Sequence, residues 1–315
     1  MQITFLGTSS GVPTKMRNVS AVALKLPQRA EVWLFDCGEA TQHQIQHTDL
    51  RISQLRRIFI THLHGDHLYG LMGLLATCGM AGHAQPIDIY GPTTLDEYVR
   101  MSAQLSRLRL AEHIQVRTVQ PGTIYEDEEF VVSCQPLRHR VPAFGYRVTE
   151  KERPGRFNVE RAHELNIPPG PLYGRLKRGE TVTLADGRTI NGAELCAPPE
   201  QGRAFAYCTD TMYCENSVAL ARATDVLVHE ATFVNEDEEL AQQSMHSTAA
   251  DAARVAQQAQ VRQLVITHIS PRYALGNSFT PDELLSQARA VFPQTIIAHD
   301  FMTLEIPRRV LRAEA

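Results

Sequence analysis

Two apolar runs far apart in the chain end in the same dipeptide. Arg57-Ile58-Phe59-Ile60-Thr61-His62 and Arg262-Gln263-Leu264-Val265-Ile266-Thr267-His268 each read as a buried strand that delivers a histidine at its C-terminal end. A second pair, Trp33-Leu34-Phe35-Asp36 and Ala206-Tyr207-Cys208-Thr209-Asp210, delivers an aspartate in the same place. Short apolar strands resemble one another by chance, so one pair alone carries little weight. Two pairs that both put metal-ligand residue types at strand ends point to two similar half-domains whose strand ends converge on one site.

Further strand patterns occur at Gln2–Leu6, Ser20–Leu26, Glu31–Phe35, Ile87–Tyr90, His113–Val119, Glu129–Cys134, Arg203–Cys208, Asp225–His229 and Thr295–Ala298. Helical patterns fall between them. Leu68–Gly79 is apolar enough to be buried, and Thr94–Leu105 opens with Thr94 and Glu97 at capping-box spacing. Ser247–Gln258 is alanine-rich, and Thr280-Pro281-Asp282-Glu283 starts a helix ahead of Leu284–Val291. Strands first joined by hairpins and then alternating with helices indicate a layered α/β protein. Between 150 and 200 the rhythm breaks at Pro154, Pro168, Pro169 and Pro171, with Gly155, Gly170, Gly174 and Gly179. That stretch, about 152–197, is expected to project as an arm from one domain spanning 1–315. A disordered linker is the alternative, but no second domain of comparable size follows it.

Composition narrows the class. At 43% hydrophobic and 21% charged residues, the chain can bury a substantial core without staples. Six scattered cysteines with no C-x-x-C pair fit reduced thiols better than a disulfide framework. The opening Gln2-Ile3-Thr4-Phe5-Leu6 reads as a strand with no basic leader, and Leu68–Ala81 is too short to span a bilayer. A cytoplasmic protein with no membrane partner is expected. The net charge of −4 does not advertise a nucleic-acid partner, so any RNA must be drawn by local basic patches or bound metal.

Thr61-His62-Leu63-His64-Gly65-Asp66-His67 packs three imidazoles and a carboxylate just after a strand. Imidazole nitrogen and carboxylate oxygen suit zinc, and also manganese or iron. Four ligands from one loop crowd a single tetrahedral ion that must keep an open position. Two ions are more natural if distant ligands exist, and His139, Asp210 and His268 are the candidates. Asp210, with two oxygens, would bridge them. Two divalent ions roughly 3.5–4 Å apart can clamp the attacking and leaving oxygens of a phosphoryl displacement, and bring the pKa of bound water to about 7.

This set, His62-x-His64-x-Asp66-His67 followed in order by His139, Asp210 and His268, resembles the metallo-β-lactamase superfamily. More narrowly, the chain resembles the bacterial ribonuclease Z family of tRNA 3′-processing endonucleases. Gly11-Val12-Pro13-Thr14-Lys15-Met16-Arg17-Asn18 and Asp36-Cys37-Gly38-Glu39-Ala40-Thr41 resemble that family's first two loops. Pro169-Gly170-Pro171-Leu172-Tyr173-Gly174-Arg175-Leu176-Lys177-Arg178-Gly179 resembles the core of its tRNA-gripping arm. His229-Glu230-Ala231-Thr232 and His246-Ser247-Thr248 match two of its short motifs. His299 departs from it, since an acidic residue is expected there.

The resemblance implies a four-layer αβ/βα sandwich with a protruding flexible arm, a zinc-dependent endoribonuclease that removes the 3′ trailer from precursor tRNA, and a homodimer. It implies two Zn2+ per subunit, with Mn2+ or another divalent ion as an alternative. His62, His64 and His139 would hold one ion, Asp66, His67 and His268 the other, and Asp210 both. Asp66 would also act as general base. His246 would protonate the departing ribose oxygen with Glu230 fixing its ring, and Asp36 would hydrogen-bond a ligand imidazole. Thr248 and Asp251 stand at capping spacing, so helix capping competes for that stretch. Arg175, Lys177 and Arg178 in the arm, and Lys15, Arg17 and Arg272 near the site, are the expected substrate contacts. Ser270 or Thr211 could assist them. His43, His47, His83, His113 and His163 read as surface or structural, and Cys208 and Cys214 as packing residues. Competing readings are a relative that cuts another ester, such as a cyclic-nucleotide phosphodiesterase or a thioesterase, and a non-catalytic RNA-binding relative. The first would not need the arm, and the full set of seven ligands argues against the second.

Overall fold

The strand Glu31–Phe35 is apolar on both faces, with Val32 and Leu34 on one and Trp33 and Phe35 on the other. Such a strand must be covered twice, and this requirement sets the layering. A computed structural model describes residues 1–109, 113–153, 155–198, 200–274 and 276–308. One sheet contains β1 (Gln2–Gly7), β2 (Ala21–Leu26), β3 (Glu31–Phe35), β4 (Leu55–Phe59), β5 (Ile87–Gly91), β6 (Ile114–Thr118) and β16 (Thr303–Glu305), in the order β16-β1-β2-β3-β4-β5-β6. The other contains β7 (Gly122–Glu126), β8 (Phe130–Leu137), β9 (Ala143–Glu150), β12 (Ala204–Cys208), β13 (Val226–Glu230), β14 (Gln263–Thr267) and β15 (Thr295–Ile297), in the order β15-β14-β13-β12-β9-β8-β7.

The sheets meet through aromatic side chains. Phe35 stands edge-on to Phe205 with ring centroids 5.2 Å apart, and Phe59 lies 5.3 Å from Tyr146. On the outer face of the first sheet, Leu71, Leu74, Leu75, Leu95 and Val99 pack on Leu34, Ile58 and Ile89. On the outer face of the second, the alanines of the helix Ala249–Gln258 lie with Leu284 and Ala288 against Leu227, Leu264 and Ile266. Small side chains let that helix approach the sheet closely. The result is the expected four-layer sandwich of helix, sheet, sheet and helix. Among the described residues no helix is long and apolar enough to cross a membrane.

Capping differs from expectation in one place. Thr248 and Asp251 form a complete capping box. Thr94 makes no side-chain cap bond at its helix, so its spacing with Glu97 is not used.

The chain forms two compact units. Of the described residues, the larger holds those within Met1–Glu126, Val132–Val148 and Ala204–Ile306; the smaller holds those within Asp127–Val131 and Thr149–Arg203, with Pro307 and Arg308. The smaller unit is built from the helices Val159–Glu164 and Pro171–Lys177 and the hairpin of β10 (Thr181–Thr183) with β11 (Thr189–Asn191). Asn158 caps the first helix by accepting the Arg161 N–H at 2.9 Å, and Pro171 opens the second. Ala162, Ile167, Leu176, Val182, Leu184 and Leu195 make a core of its own. Each short element contributes one or two of these residues, too few to show a period in the sequence.

Candidate metal centre

Parallel pairing brings strand ends to a common rim. β3 and β4 pair in parallel, as do β12, β13 and β14, so Asp36, His62, Asp210, Glu230 and His268 all stand at or just past C-terminal strand ends. Asp36, Asp210 and His268 adopt left-handed backbone, with φ of 59°, 53° and 58°, and so does Met245 just before His246. That conformation costs non-glycine residues roughly 1–2 kcal/mol each, so surrounding packing must hold it. It reverses the chain sharply and keeps these side chains over the rim.

Three groups of donors gather there: His62, His64, His139 and Asp210; Asp66, His67 and His268; and Asp210, His246 and His268, with donor atoms within 4.8 Å of one another in each. His64 Nδ1 lies 3.0 Å from His62 Nε2 and 3.3 Å from His139 Nε2. His67 Nε2 lies 3.2 Å from His268 Nε2. Asp210 turns Oδ2 toward His62 at 3.4 Å and Oδ1 toward His67 and His268 at 3.1 and 3.2 Å. Asp66 Oδ2 is 3.3 Å from His67 Nε2 and 3.4 Å from His268 Nε2.

These spacings fit divalent cations. Ligand atoms about 2.0–2.1 Å from a tetrahedral zinc lie about 3.3–3.4 Å apart at the corners. On the outer side, His67 Nδ1 is 2.8 Å from Asp36 Oδ2, and His139 Nδ1 is 3.0 Å from the Met245 carbonyl. A neutral imidazole has one N–H, and in both rings it faces outward. In that neutral form their inward nitrogens present lone pairs, an arrangement that a shared cation stabilises.

Charge follows the same pattern. Burial lowers the pKa of His62, and neighbouring His67 lowers it further against the opposing pull of Asp210. Burial likewise lowers His64 and His139. Asp210 and Asp66 stay well below the usual carboxylate range: burial pushes both up, but the surrounding imidazoles outweigh it. His67 is the exception. Burial opposes its charge, yet Asp210, Asp36 and Asp66 raise it. Beside the cluster, His246 donates Nδ1–H to Glu230 Oε1 at 2.9 Å and keeps Nε2 4.0 Å from Asp210 Oδ2. Glu230 also accepts from Thr211 N–H at 2.5 Å, the Thr232 hydroxyl at 2.6 Å and Ser247 N–H at 3.1 Å.

A ribonuclease Z from Nostoc sp. is 63% identical to this chain over 309 residues, covering 98% of it and 96% of the relative. One from Cyanothece sp. is 64% identical over 310 residues, covering 98% and 97%. The chain belongs to the ribonuclease Z family. It is accordingly a hydrolase, an endoribonuclease. The crystal structure of human tRNase Z, short form, matches with a TM-score of 0.70 at 30% identity, over 98% of this chain and 100% of that one. A family profile described as beta-lactamase superfamily domain matches residues 189–269, and one described as anti-Pycsar protein Apyc1 matches residues 1–149.

The remaining predicted residues are placed less uniformly. The loop carrying Lys15 touches the cluster, since Gly11 N–H donates to Asp66 Oδ2 at 2.8 Å. Lys15 is exposed and lines a cavity of about 470 Å³ with Met16, Ser270, Pro271, Tyr273 and His299. Arg17 points inward, donating to the Thr8 hydroxyl at 2.7 Å and the Ala298 carbonyl at 2.6 Å. Arg272 lies over the Phe233 ring and 3.5 Å from Asp237. In the smaller unit, Arg175 and Arg178 both pair with Glu180 at 2.8 Å, while Lys177 lines a cavity of about 480 Å³ with Arg153, Arg156 and Tyr173. His43, His47, His83, His113 and His163 belong to none of the donor groups. Asp36 stands where the sequence reading places it, against a clustered imidazole. Sequence reasoning missed the hydroxyls of Thr61 and Thr232 inside the site, and Glu180 just past the arm's basic run. Threonines adjoining Asp- or His-bearing strand ends were the available signal.

Proposed function

We propose that this enzyme removes the 3′ trailer from precursor tRNA, using two divalent cations, zinc foremost, held by the seven clustered ligands. The observation that carries the reading is the Asp210 carboxylate. One oxygen faces the His62 side and the other faces His67 and His268, with the His246–Glu230 pair alongside. His62, His64 and His139 would hold one cation, Asp66, His67 and His268 the other, and Asp210 would join them. Cations bound there supply Lewis acidity, lowering the pKa of water and stabilising charge on phosphate. Manganese would suit the same donors.

The chain's own groups divide the remaining work. Asp66, ionised and oriented by the Gly11 N–H, aligns the attacking water and takes its proton. As the new P–O bond forms, the bond from phosphorus to the ribose 3′ oxygen breaks. His246 delivers a proton to that oxygen, leaving a 3′-hydroxyl on the tRNA and a 5′-phosphate on the trailer. Thr149–Arg203, with Lys177, Arg175 and Arg178, would grip the tRNA body. Lys15 and Arg272 would meet phosphates near the cut, and Arg17 would brace the loop that carries Lys15. The names of the relatives, ribonuclease Z and tRNase Z, support the substrate. The family resemblance supports a cytoplasmic homodimer in which one copy's arm holds RNA cut by the other.

The test offers precursor tRNA and a small chromogenic phosphodiester to the intact chain and to a variant lacking residues 155–195. The variant is expected to lose tRNA cleavage and keep diester hydrolysis. Equal loss of both would make the arm structural, and an intact chain that leaves precursor tRNA uncut would end the reading.

A further inference from the structure

The echo between Thr61-His62 and Thr267-His268 breaks down at the threonines. The Thr61 hydroxyl lies 3.0 Å from each Asp36 oxygen and 3.0 Å from Nδ1 of His62. Thr267 is buried too, yet its hydroxyl has no hydrogen-bond partner among the described residues. Its place beside His268 is taken by Thr232, from just beyond β13. That hydroxyl lies 2.6 Å from Oε2 of Glu230 and 3.0 Å from Nδ1 of His268.

A hydroxyl has one proton to donate, while an ionised carboxylate can only accept. Asp36 already gathers donors from Thr61 N–H and the Tyr207 hydroxyl, and Glu230 from Thr211 N–H, Ser247 N–H and His246. Each threonine proton therefore goes to its carboxylate, and the neighbouring imidazole must supply the other hydrogen bond from Nδ1–H. That leaves Nε2 as a lone pair. In His62 it faces His64 Nδ1 at 3.0 Å and Asp210 at 3.4 Å. In His268 it faces His67 Nε2 and Asp210, each at 3.2 Å.

We infer that the hydroxyls of Thr61 and Thr232 are positioning groups that fix His62 and His268 in the Nδ1–H tautomer required for metal ligation. Through Thr232, one carboxylate, Glu230, serves both the ligand His268 and the proton donor His246. His67 and His139 need no such intermediary, because Asp36 and the Met245 carbonyl meet their Nδ1 atoms directly. The inference rests on the two-cation reading of the site.

The test uses the full chain. Long-range proton–nitrogen spectra of the histidine-labelled, cation-free protein should show His62 and His268 protonated on Nδ1. Competition against a chelator should show Thr232→Val holding zinc roughly tenfold to a hundredfold more weakly than wild type. Thr232→Ser should restore most of that affinity, and Thr267→Val should change neither readout. Wild-type His268 protonated on Nε2, or Thr232→Val retaining zinc as tightly as wild type, would overturn the inference and leave the two-cation reading standing. A wild type that binds no divalent cation would instead remove that reading and the inference with it. Should Thr232→Val fail to fold, the wild-type spectrum and Thr61→Val, expected to lose zinc affinity likewise, decide the matter.

Discussion

Buried and ringed by donors, the Glu230 carboxylate keeps its charge and passes a preference on to His246. Burial alone would raise Glu230 and lower His246. Their mutual attraction outweighs both effects, holding Glu230 below its ordinary value and pushing His246 up to about 9. At neutral pH the imidazole thus carries a proton, as its proposed role of general acid to a departing alkoxide requires. A cation bound nearby would pull its pKa down toward the working pH, where general acids are most effective. His246→Ala should therefore lower kcat on precursor tRNA by about 10²–10⁴-fold. The loss should be much smaller on a p-nitrophenyl phosphodiester, whose leaving group needs no proton. Steady-state kinetics on both substrates checks this, and equal losses would remove His246 from the acid role. Asp66→Ala should abolish both activities. Appreciable residual turnover would take the base role from Asp66.

Elements are where the smaller unit acquires its properties. The basic run on the helix Pro171–Lys177 is countered by Glu180, which holds both Arg175 and Arg178. A tRNA phosphate gripped there, as proposed, would have to compete with that carboxylate. Glu180→Gln should lower KM for precursor tRNA and steepen its salt dependence, with diester turnover unchanged. An unchanged KM would separate these arginines from the substrate. In the smaller unit, Glu150 is clamped by Arg203 at 2.6 and 3.0 Å and by Arg308 at 2.7 Å. Burial raises its pKa, but Arg203 and then Arg308 outweigh it and lower it. A carboxylate whose folded pKa lies below its unfolded one adds stability above the unfolded value, and loses it as pH falls through the folded value. Glu150→Gln should thus weaken the arm unit by about 1.5–3 kcal/mol at neutral pH, the scale of hydrogen bonds to charged groups. The difference should shrink below the carboxylate range, as urea melts at the two pH values would show. Much of this level was not legible in the sequence. β9 escaped notice because Gly145, Arg147 and Glu150 interrupt its alternation, although Glu150 is buried for a reason the clamp explains. The helices Glu215–Ala221 and Glu238–Ser244 span only seven residues each, too short to display a period. By contrast, β4 and β14 were plain, since an unbroken apolar run ending in Thr-His has few other readings. Of the seven clustered donors, His62 and His268 were legible for the same reason. The left-handed turns that aim Asp210 and His268 were not, because nothing in their residue types demands positive φ.

At the scale of the molecule, two cores of different character share one chain. The sandwich carries at its strand-end rim a cluster of imidazoles and carboxylates whose neighbouring inward atoms lie 3.0–3.8 Å apart. It gains stability from whatever cation the folded state binds and the unfolded chain does not, by about 4 kcal/mol when the free ion is at a thousand times its dissociation constant. The smaller unit, the proposed arm, rests on Ala162, Leu176, Val182 and Leu195, and no donor of the cluster belongs to it. Chelation should therefore lower the melting temperature of the sandwich and leave the arm's internal stability unchanged. Hydrogen exchange distinguishes the two. The amides of Thr61 and Thr211, bonded to Asp36 and Glu230, should exchange faster once the cations are removed, whereas those of Ala162 and Leu184, in the arm's own turns, should keep their rates. Uniform acceleration through both units would mean that the cations stabilise the chain as one cooperative body, and the independence of the arm core would have to be abandoned.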